Sequence, residues 1–328
     1  MTDEALLSLA RRLAATAGQA EPLRLTPLTG GKNNRVFRVE TTAAPLVLKA
    51  YHRDPRDSRD RLGAEWAFLR FAWGAGVRSI PEPLAQAPVE GVALYPFITG
   101  ARPTPIDAGM VAQAAGFIVA TNRERDSARL APGSEACFSM ADHVATVDRR
   151  VARFSALDPS APHREAAAAL IETALIPAWQ SVRGRIRADD ARLAEAEIIA
   201  SPSDFGFHNA LADHAGQLTF LDFEYAGMDD PAKLACDFFC CPEVPVPLVH
   251  RPAFLTALRE GIGLDEAFER RAEALLDAYR VKWACIILNE FMPMDAARRA
   301  AALPGERAER ARGQLDRAAA KLAEIAPL

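Results

Sequence analysis

Ser201-Pro202-Ser203-Asp204-Phe205-Gly206-Phe207-His208-Asn209-Ala210-Leu211, and after a short turn Leu218-Thr219-Phe220-Leu221-Asp222-Phe223-Glu224, is the stretch on which the reading of this chain turns. Ile198-Ile199-Ala200 before it and Leu218–Phe223 within it are β-forming runs, so residues 198–225 read strand, loop, strand. Asp204, Asn209 and Asp222 fall at loop or strand-end positions beside apolar runs. If the second strand folds back on the first, Asn209 and Asp222 approach each other. Two hard oxygen donors there suit Mg2+, which keeps several waters and takes its other ligands from phosphates. Asp204 then stands where it can accept a proton from an attacking hydroxyl. A hairpin with solvated polar ends reads equally well from this stretch alone, because Asp and Asn are favoured turn residues.

Outward toward the N-terminus, Leu6, Leu9 and Leu13 recur at helical spacing and predict a helix over 3–17, stopped at Gly18. Arg24–Leu28, Arg35–Glu40 and Leu46–Ala50 predict three strands of an antiparallel meander. Thr29-Gly30-Gly31-Lys32-Asn33-Asn34 lies between the first two. Glycine admits a close backbone approach to phosphate, and turn amides can cradle an anion. The stretch lacks the Walker spacing, and taken alone it reads as an ordinary hairpin turn. Lys49 closes the apolar run Leu46-Val47-Leu48, and Glu65 opens Glu65-Trp66-Ala67-Phe68-Leu69 on a helix predicted over 59–73. A strand lysine held by a helix glutamate could grip phosphates, although most single lysines and glutamates are only solvated charges. Pro83–Ala87 and Val92–Ile98 complete the strand-like runs, with Gly91 between them.

After Gly100 the texture becomes helical, and the periodicity predicts helices at 107–123, 139–154, 163–182, 188–199, 252–260, 264–292 and 305–325. The expected organisation is a sheet-rich N-terminal lobe over 1–96 and a helical lobe over 97–328 that carries the polar hairpin. A cleft between two such lobes is a common place for a small-molecule site.

The 328 residues carry 39 basic and 43 acidic side chains, a net charge of −4. A chain that binds chiefly by neutralising nucleic-acid phosphates is usually basic, so that class recedes. Cys137, Cys236, Cys240, Cys241 and Cys285 are an odd, sparse set that reads as reduced thiols in a cytoplasmic protein. Their spacing with His250 matches no usual zinc pattern, so apolar core cysteines are expected rather than a metal cluster. The N-terminus lacks a basic segment ahead of an apolar run, so no secretory signal is read. No run of about eighteen apolar residues predicts a membrane span.

Taken in order, the chain offers a glycine turn, a strand lysine, a helix glutamate, an extended connector, Asp-x-x-x-x-Asn and Asp-Phe-Glu. This series resembles the protein-kinase-like fold, and more closely the aminoglycoside phosphotransferase and choline kinase superfamily. Members of that family carry H-G-D-x-x-x-x-N and I-D-F/W-E/G, matched here by Pro202-Ser203-Asp204 through Asn209 and by Leu221-Asp222-Phe223-Glu224. The resemblance spans roughly residues 24–240, and Asp229-Asp230-Pro231-Ala232 is similar to a further family segment, G-D-P-x-x-D-L. It implies an α+β fold with a small antiparallel sheet and a larger helical part. It also implies an ATP- and Mg2+-dependent kinase acting on a hydroxyl of a small polar molecule: an amino sugar, sugar, amino alcohol or amino acid.

By position, the resemblance makes Asp204 the catalytic base or hydroxyl-orienting residue and Asn209 and Asp222 the Mg2+ ligands. Lys49 contacts nucleotide phosphates and pairs with Glu65, and Gly30 and Gly31 lie in the nucleotide-covering loop. Tyr95-Pro96-Phe97-Ile98 becomes the hinge that holds adenine through its backbone, with Phe97 supplying the amide that Pro96 lacks. Pro202 and Ser203 replace the family's His and Gly, and Gly206 stands where many relatives place a polar residue; His208 is a candidate to supply what Gly206 lacks, against the plainer reading of a histidine packed within the loop. Pro202 in place of the family's His motivates the rival reading, a nucleotide-binding pseudokinase acting as a binding module.

Overall fold

The computed structural model describes residues 2–28, 34–53, 59–125, 130–293 and 304–325. Gly30 and Gly31 lie outside the described residues. The chain divides into two compact units. One comprises Met1–Ala136, Ile199–Asp229 and Val249–Leu264; the other comprises Cys137–Ile198, Asp230–Leu248 and Asp265–Leu328.

The first unit begins with helix α1 (Asp3–Thr16), where the Thr2 hydroxyl caps the orphan Ala5 N–H at 3.3 Å. Strands β1 (Pro22–Leu28), β2 (Arg35–Thr41) and β3 (Leu46–Ala50) follow, then helix α2 (Arg61–Gly74) and strands β4 (Ala85–Ala87) and β5 (Val92–Pro96). They form a five-stranded sheet of order β1-β2-β3-β5-β4, with every neighbouring pair antiparallel. The predicted meander is therefore present, and β3 keeps its predicted bounds. Pro22 and Pro27 are tolerated in β1 because it is an edge strand.

Alternation along β3 sends Leu46 and Leu48 into a core shared with Leu6, Leu9 and Leu13 of α1. The same alternation sends Lys49 to the other face. Helix α3 (Ala108–Thr121) is capped by Asp107, which accepts from Met110 N–H at 2.8 Å. Strands β6 (Ile199–Ser201) and β9 (Gly227–Asp229) pair antiparallel, as do β7 (Ala210–Ala212) and β8 (Leu218–Phe220). Helix α8 (Arg251–Ile262) belongs to the same unit.

The second unit is helical: α4 (Met140–Ala152), α5 (Arg164–Leu170), a π turn (Ile171–Leu175) running into α6 (Ile176–Arg185), α7 (Pro231–Cys240), α9 (Glu266–Ile287) and α10 (Pro304–Ala323). The helix predicted over 188–199 does not form. Asp189 Oδ1 instead accepts the Ala191 N–H at 2.8 Å, a local turn that competes with helix, and only a single 3-10 turn follows at Glu195–Glu197. Every residue of α7 is buried. Cys236 and Cys240 on it point their thiols at the Ala272 and Leu276 carbonyls of α9, at 3.3 and 3.7 Å. Among the described residues no cluster of three or more His, Cys, Asp or Glu could hold a metal ion, and no helix is long and apolar enough to cross a membrane.

Candidate active site

Two phenylalanines anchor the polar loops of the first unit. Phe205, next to Asp204, packs on Phe117 of α3 and Phe220 of β8, with ring centroids 5.7 and 5.1 Å away. Phe223, next to Asp222, stacks on Phe68 of α2 at 4.8 Å and leans on Phe117 at 6.1 Å. Apolar burial on this scale fixes the backbone, so the aspartates beside the rings leave the core in set directions.

The β7–β8 hairpin does the rest. Ala210 pairs with Phe220, and beyond that pair Leu221 N–H donates to the Asn209 carbonyl at 2.8 Å. Asn209 and Leu221 thus stand opposite each other, with Asp222 one residue further on. Asn209 Nδ2 donates to the Asp204 carbonyl at 3.0 Å, which closes the loop on itself. Asp222 adopts φ +65, a left-handed conformation that Asp tolerates better than most residues. Its side chain remains 42% exposed.

Lys49 reaches this loop from the sheet. Its Nζ lies 2.6 Å from Glu65 Oε2 of α2 and 2.6 Å from Asp222 Oδ1, and both Lys49 and Glu65 are buried. The Lys49 ammonium also sits 4.8 Å over the Tyr51 ring, and the Tyr51 hydroxyl meets the Tyr95 hydroxyl at 2.8 Å. Burial works against the charged lysine, but the flanking carboxylates outweigh it and hold its pKa above the ordinary value. Burial pushes the Glu65 carboxyl up, to about 7, against the pull of Lys49. The ammonium therefore stays charged beside the two carboxylates.

A second pair backs the loop. Glu224 Oε1 accepts from Arg61 Nη1 at 2.9 Å, and its Oε2 accepts from Asn34 Nδ2 at 2.5 Å. The Arg61 guanidinium also lies over the Tyr225 ring at 5.4 Å. Neither Arg61 nor Asn34 was singled out by the sequence reading. One signal was available for Arg61: a cation in the first turn of a helix opposes the macrodipole, so something outside the helix must hold it.

Among the predicted positions, Asp204, Asn209, Asp222, Lys49 and Glu65 all lie in the first unit and are joined by the contacts above. Tyr95 turns its side chain to Tyr51 and pairs its backbone with Val47. The Phe97 N–H, expected to serve a nucleobase, is already donated to the Pro45 carbonyl at 3.1 Å, extending the β3–β5 ladder past Pro96. Its ring lies under the Arg38 guanidinium at 4.7 Å.

Hard oxygens suit Mg2+, and the residues here fit it. Asp222 offers a half-exposed carboxylate, and Asn209 spends its amide nitrogen on the Asp204 carbonyl, so its amide oxygen is the atom that would hold the ion.

The sequence profile described as the phosphotransferase enzyme family matches residues 24–280. No curated protein matches the chain. Among solved structures, a choline kinase from Cryptosporidium parvum shares 12% identity and a TM-score of 0.58, covering 98% of this chain and 96% of that one. A spectinomycin phosphotransferase, solved with ADP and spectinomycin, shares 13% identity and a TM-score of 0.60, covering 98% of each chain. A choline kinase from Streptococcus pneumoniae shares 13% identity and a TM-score of 0.57, covering 97% of this chain and 99% of that one. At such identities the likeness shows a shared fold, and the chemistry must be argued from the site.

Proposed function

We propose that this chain, which belongs to the phosphotransferase enzyme family, transfers the terminal phosphate of ATP to a hydroxyl of a small polar molecule in the cytoplasm. The observation that carries the reading is Lys49 held at 2.6 Å by both Glu65 and Asp222, in the same unit as the Asp204–Asn209 loop. Phosphoryl transfer asks little covalent chemistry of a protein, and positioning with charge stabilisation does the work. Lys49 presents a fixed positive charge to nucleotide phosphates, and Glu65 keeps it from swinging into water. Asn209 and Asp222 would hold Mg2+, which supplies charge neutralisation to the phosphates when bound. Asp204, with its side chain 37% exposed, orients the acceptor hydroxyl and takes its proton.

Relatives in fold include kinases for choline and for spectinomycin, alcohols that carry a basic or quaternary nitrogen. That supports an acceptor in the same broad class without choosing one. The test is phosphate transfer from MgATP across amino sugars, amino alcohols, amino acids and sugars, with Asp204→Ala as the matched control. Transfer lost in the variant supports the assignment. Equal turnover in both proteins removes Asp204 from its role, and MgATP binding without transfer to any acceptor makes the chain a nucleotide-binding module instead.

A further inference from the structure

Gly206 has no backbone reason to be glycine. Its φ of 176 and ψ of 171 are extended values that any residue adopts. The reason is space. A β-carbon at 206 would stand 2.7 Å from Nδ1 and 2.9 Å from Cε1 of His208, inside the imidazole's own contact distance. The ring occupies the volume that a side chain at 206 would need. From there His208 Nε2 reaches Asp204 Oδ1 at 3.2 Å, with the imidazole 13% exposed and the carboxylate 37% exposed.

The chemistry of the contact sets its direction. An ionised Asp204 only accepts, so Nε2 carries the proton and donates. A carboxylate this exposed has room for several rotamers, and a catalytic group gains from a fixed orientation. Within the loop, Asn209 Nδ2 fixes the Asp204 backbone carbonyl and His208 holds its carboxylate.

Resting on the kinase reading above, we infer that Gly206 and His208 form a positioning pair for Asp204. The glycine makes room and the imidazole aims the carboxylate at the acceptor hydroxyl. His208 acts through Asp204 and does not itself touch the reacting atoms.

The experiment is a double-mutant cycle read in MgATP turnover, with the best screened alcohol as acceptor and water as the background acceptor. His208→Ala is expected to lower kcat on the order of tenfold to a hundredfold while leaving KM for MgATP unchanged. His208→Gln, whose carboxamide also donates, is expected to recover most of the loss. Gly206→Ala, which displaces the ring, is expected to lower kcat like His208→Ala and to add nothing in the His208→Ala background. The melting shift produced by MgATP is expected to persist in all variants. Additive effects of the two substitutions, an unchanged kcat in His208→Ala, or loss of the MgATP shift in that variant each overturn the pairing. If Gly206→Ala does not fold, the contrast between His208→Gln and His208→Ala decides alone. A wild-type protein that binds MgATP yet turns none over removes the kinase reading itself, an outcome distinct from additivity with turnover intact.

Discussion

Lys49 Nζ lies 2.6 Å from Glu65 Oε2, and both side chains are at least nine-tenths out of water, at 9% and 5% exposure. Lys49→Met therefore leaves a buried carboxyl beside Asp222 with no cation. Burial already presses Glu65 up to about 7 with the lysine present, so without it the carboxyl goes higher still. An acid raised in the folded state contributes full stability below its unfolded pKa and loses it as pH rises through the folded value. Lys49→Met is expected to melt close to wild type at pH 5 and well below it at pH 8. Its kcat is expected to drop on the order of a hundredfold or more. A pH-independent melting difference would refute the account of Glu65.

Arg61 and Glu224 are equally secluded, at 9% and 2% exposure, across 2.9 Å. Removing one partner of a buried pair strands the other charge, at a cost of about 3–5 kcal/mol. Arg61→Ala should show that loss in denaturant unfolding. Adding Glu224→Gln should return part of it, because the stranded charge is gone even though the packing is not. No recovery in the double variant would show that packing on Tyr225, not charge, is what Arg61 provides.

Asp222 calls for a substitution that respects its φ of +65. Asn tolerates that conformation and Ala does not, so Asp222→Asn removes charge with little backbone strain. The melting shift caused by MgATP should shrink, while the melting temperature without nucleotide moves little. A full shift in the variant would take Asp222 out of the nucleotide site.

The legible parts of this protein were those with a local signature. Leu46–Ala50, an apolar run closed by Lys49, was bounded to the residue, and β2 to within one. The Asp204-to-Asn209 spacing and Asp222 could be read because turn chemistry and motif order are written in contiguous residues. The helix predicted at 188–199 fails for a local reason as well: its Ala-, Arg- and Glu-rich composition favours helix, and the Asp189 turn breaks it. Helix α7 carried an overlooked start signal, Asp230 capping Ala232 N–H ahead of Pro231 at the first position. The pairings Arg61–Glu224 and His143–Asp230 had no such mark, since the helix position of Arg61 calls for an outside partner without naming it. Their partners lie 163 and 87 residues apart, and no periodicity encodes a pairing made only by the tertiary fold. His208 was visible as a candidate, but the glycine that admits its ring acquires meaning only once the ring has a position.

Ser203 stands where the family's motif has glycine, and it adopts φ +61. A side chain in that region is strained, and the Ser203 hydroxyl is buried with no hydrogen-bond partner among the described residues. Ser203→Gly relieves both, offset in part by the greater freedom glycine has when unfolded. The net expected gain is about 1 kcal/mol in unfolding free energy. Lower stability in the variant would mean that the hydroxyl supports Asp204 in some way the strain does not reveal.

His143 of α4 is the clearest pH-sensitive group in the second unit. Its Nδ1 meets the Tyr279 hydroxyl at 2.7 Å and its Nε2 lies 3.1 Å from Asp230 Oδ2, with the ring 1% exposed. Burial disfavours the imidazolium, and its contacts with Asp230 and Cys137 together outweigh it, so the pKa rises to about 9. Arg271 also reaches Asp230, at 3.2 Å, and helps hold that carboxylate ionised. A base raised in the folded state gives stability that is complete below its unfolded pKa of 6.5 and is lost as pH climbs through about 9. Complete loss amounts to roughly 3 kcal/mol. The melting temperature of the wild type should therefore fall between pH 7 and pH 9.5, and that fall should flatten in His143→Gln, which can bond Tyr279 and Asp230 without titrating. Parallel melting curves for the two proteins across that range would show that the imidazole is neutral in the fold and that Asp230 is held by Arg271 instead.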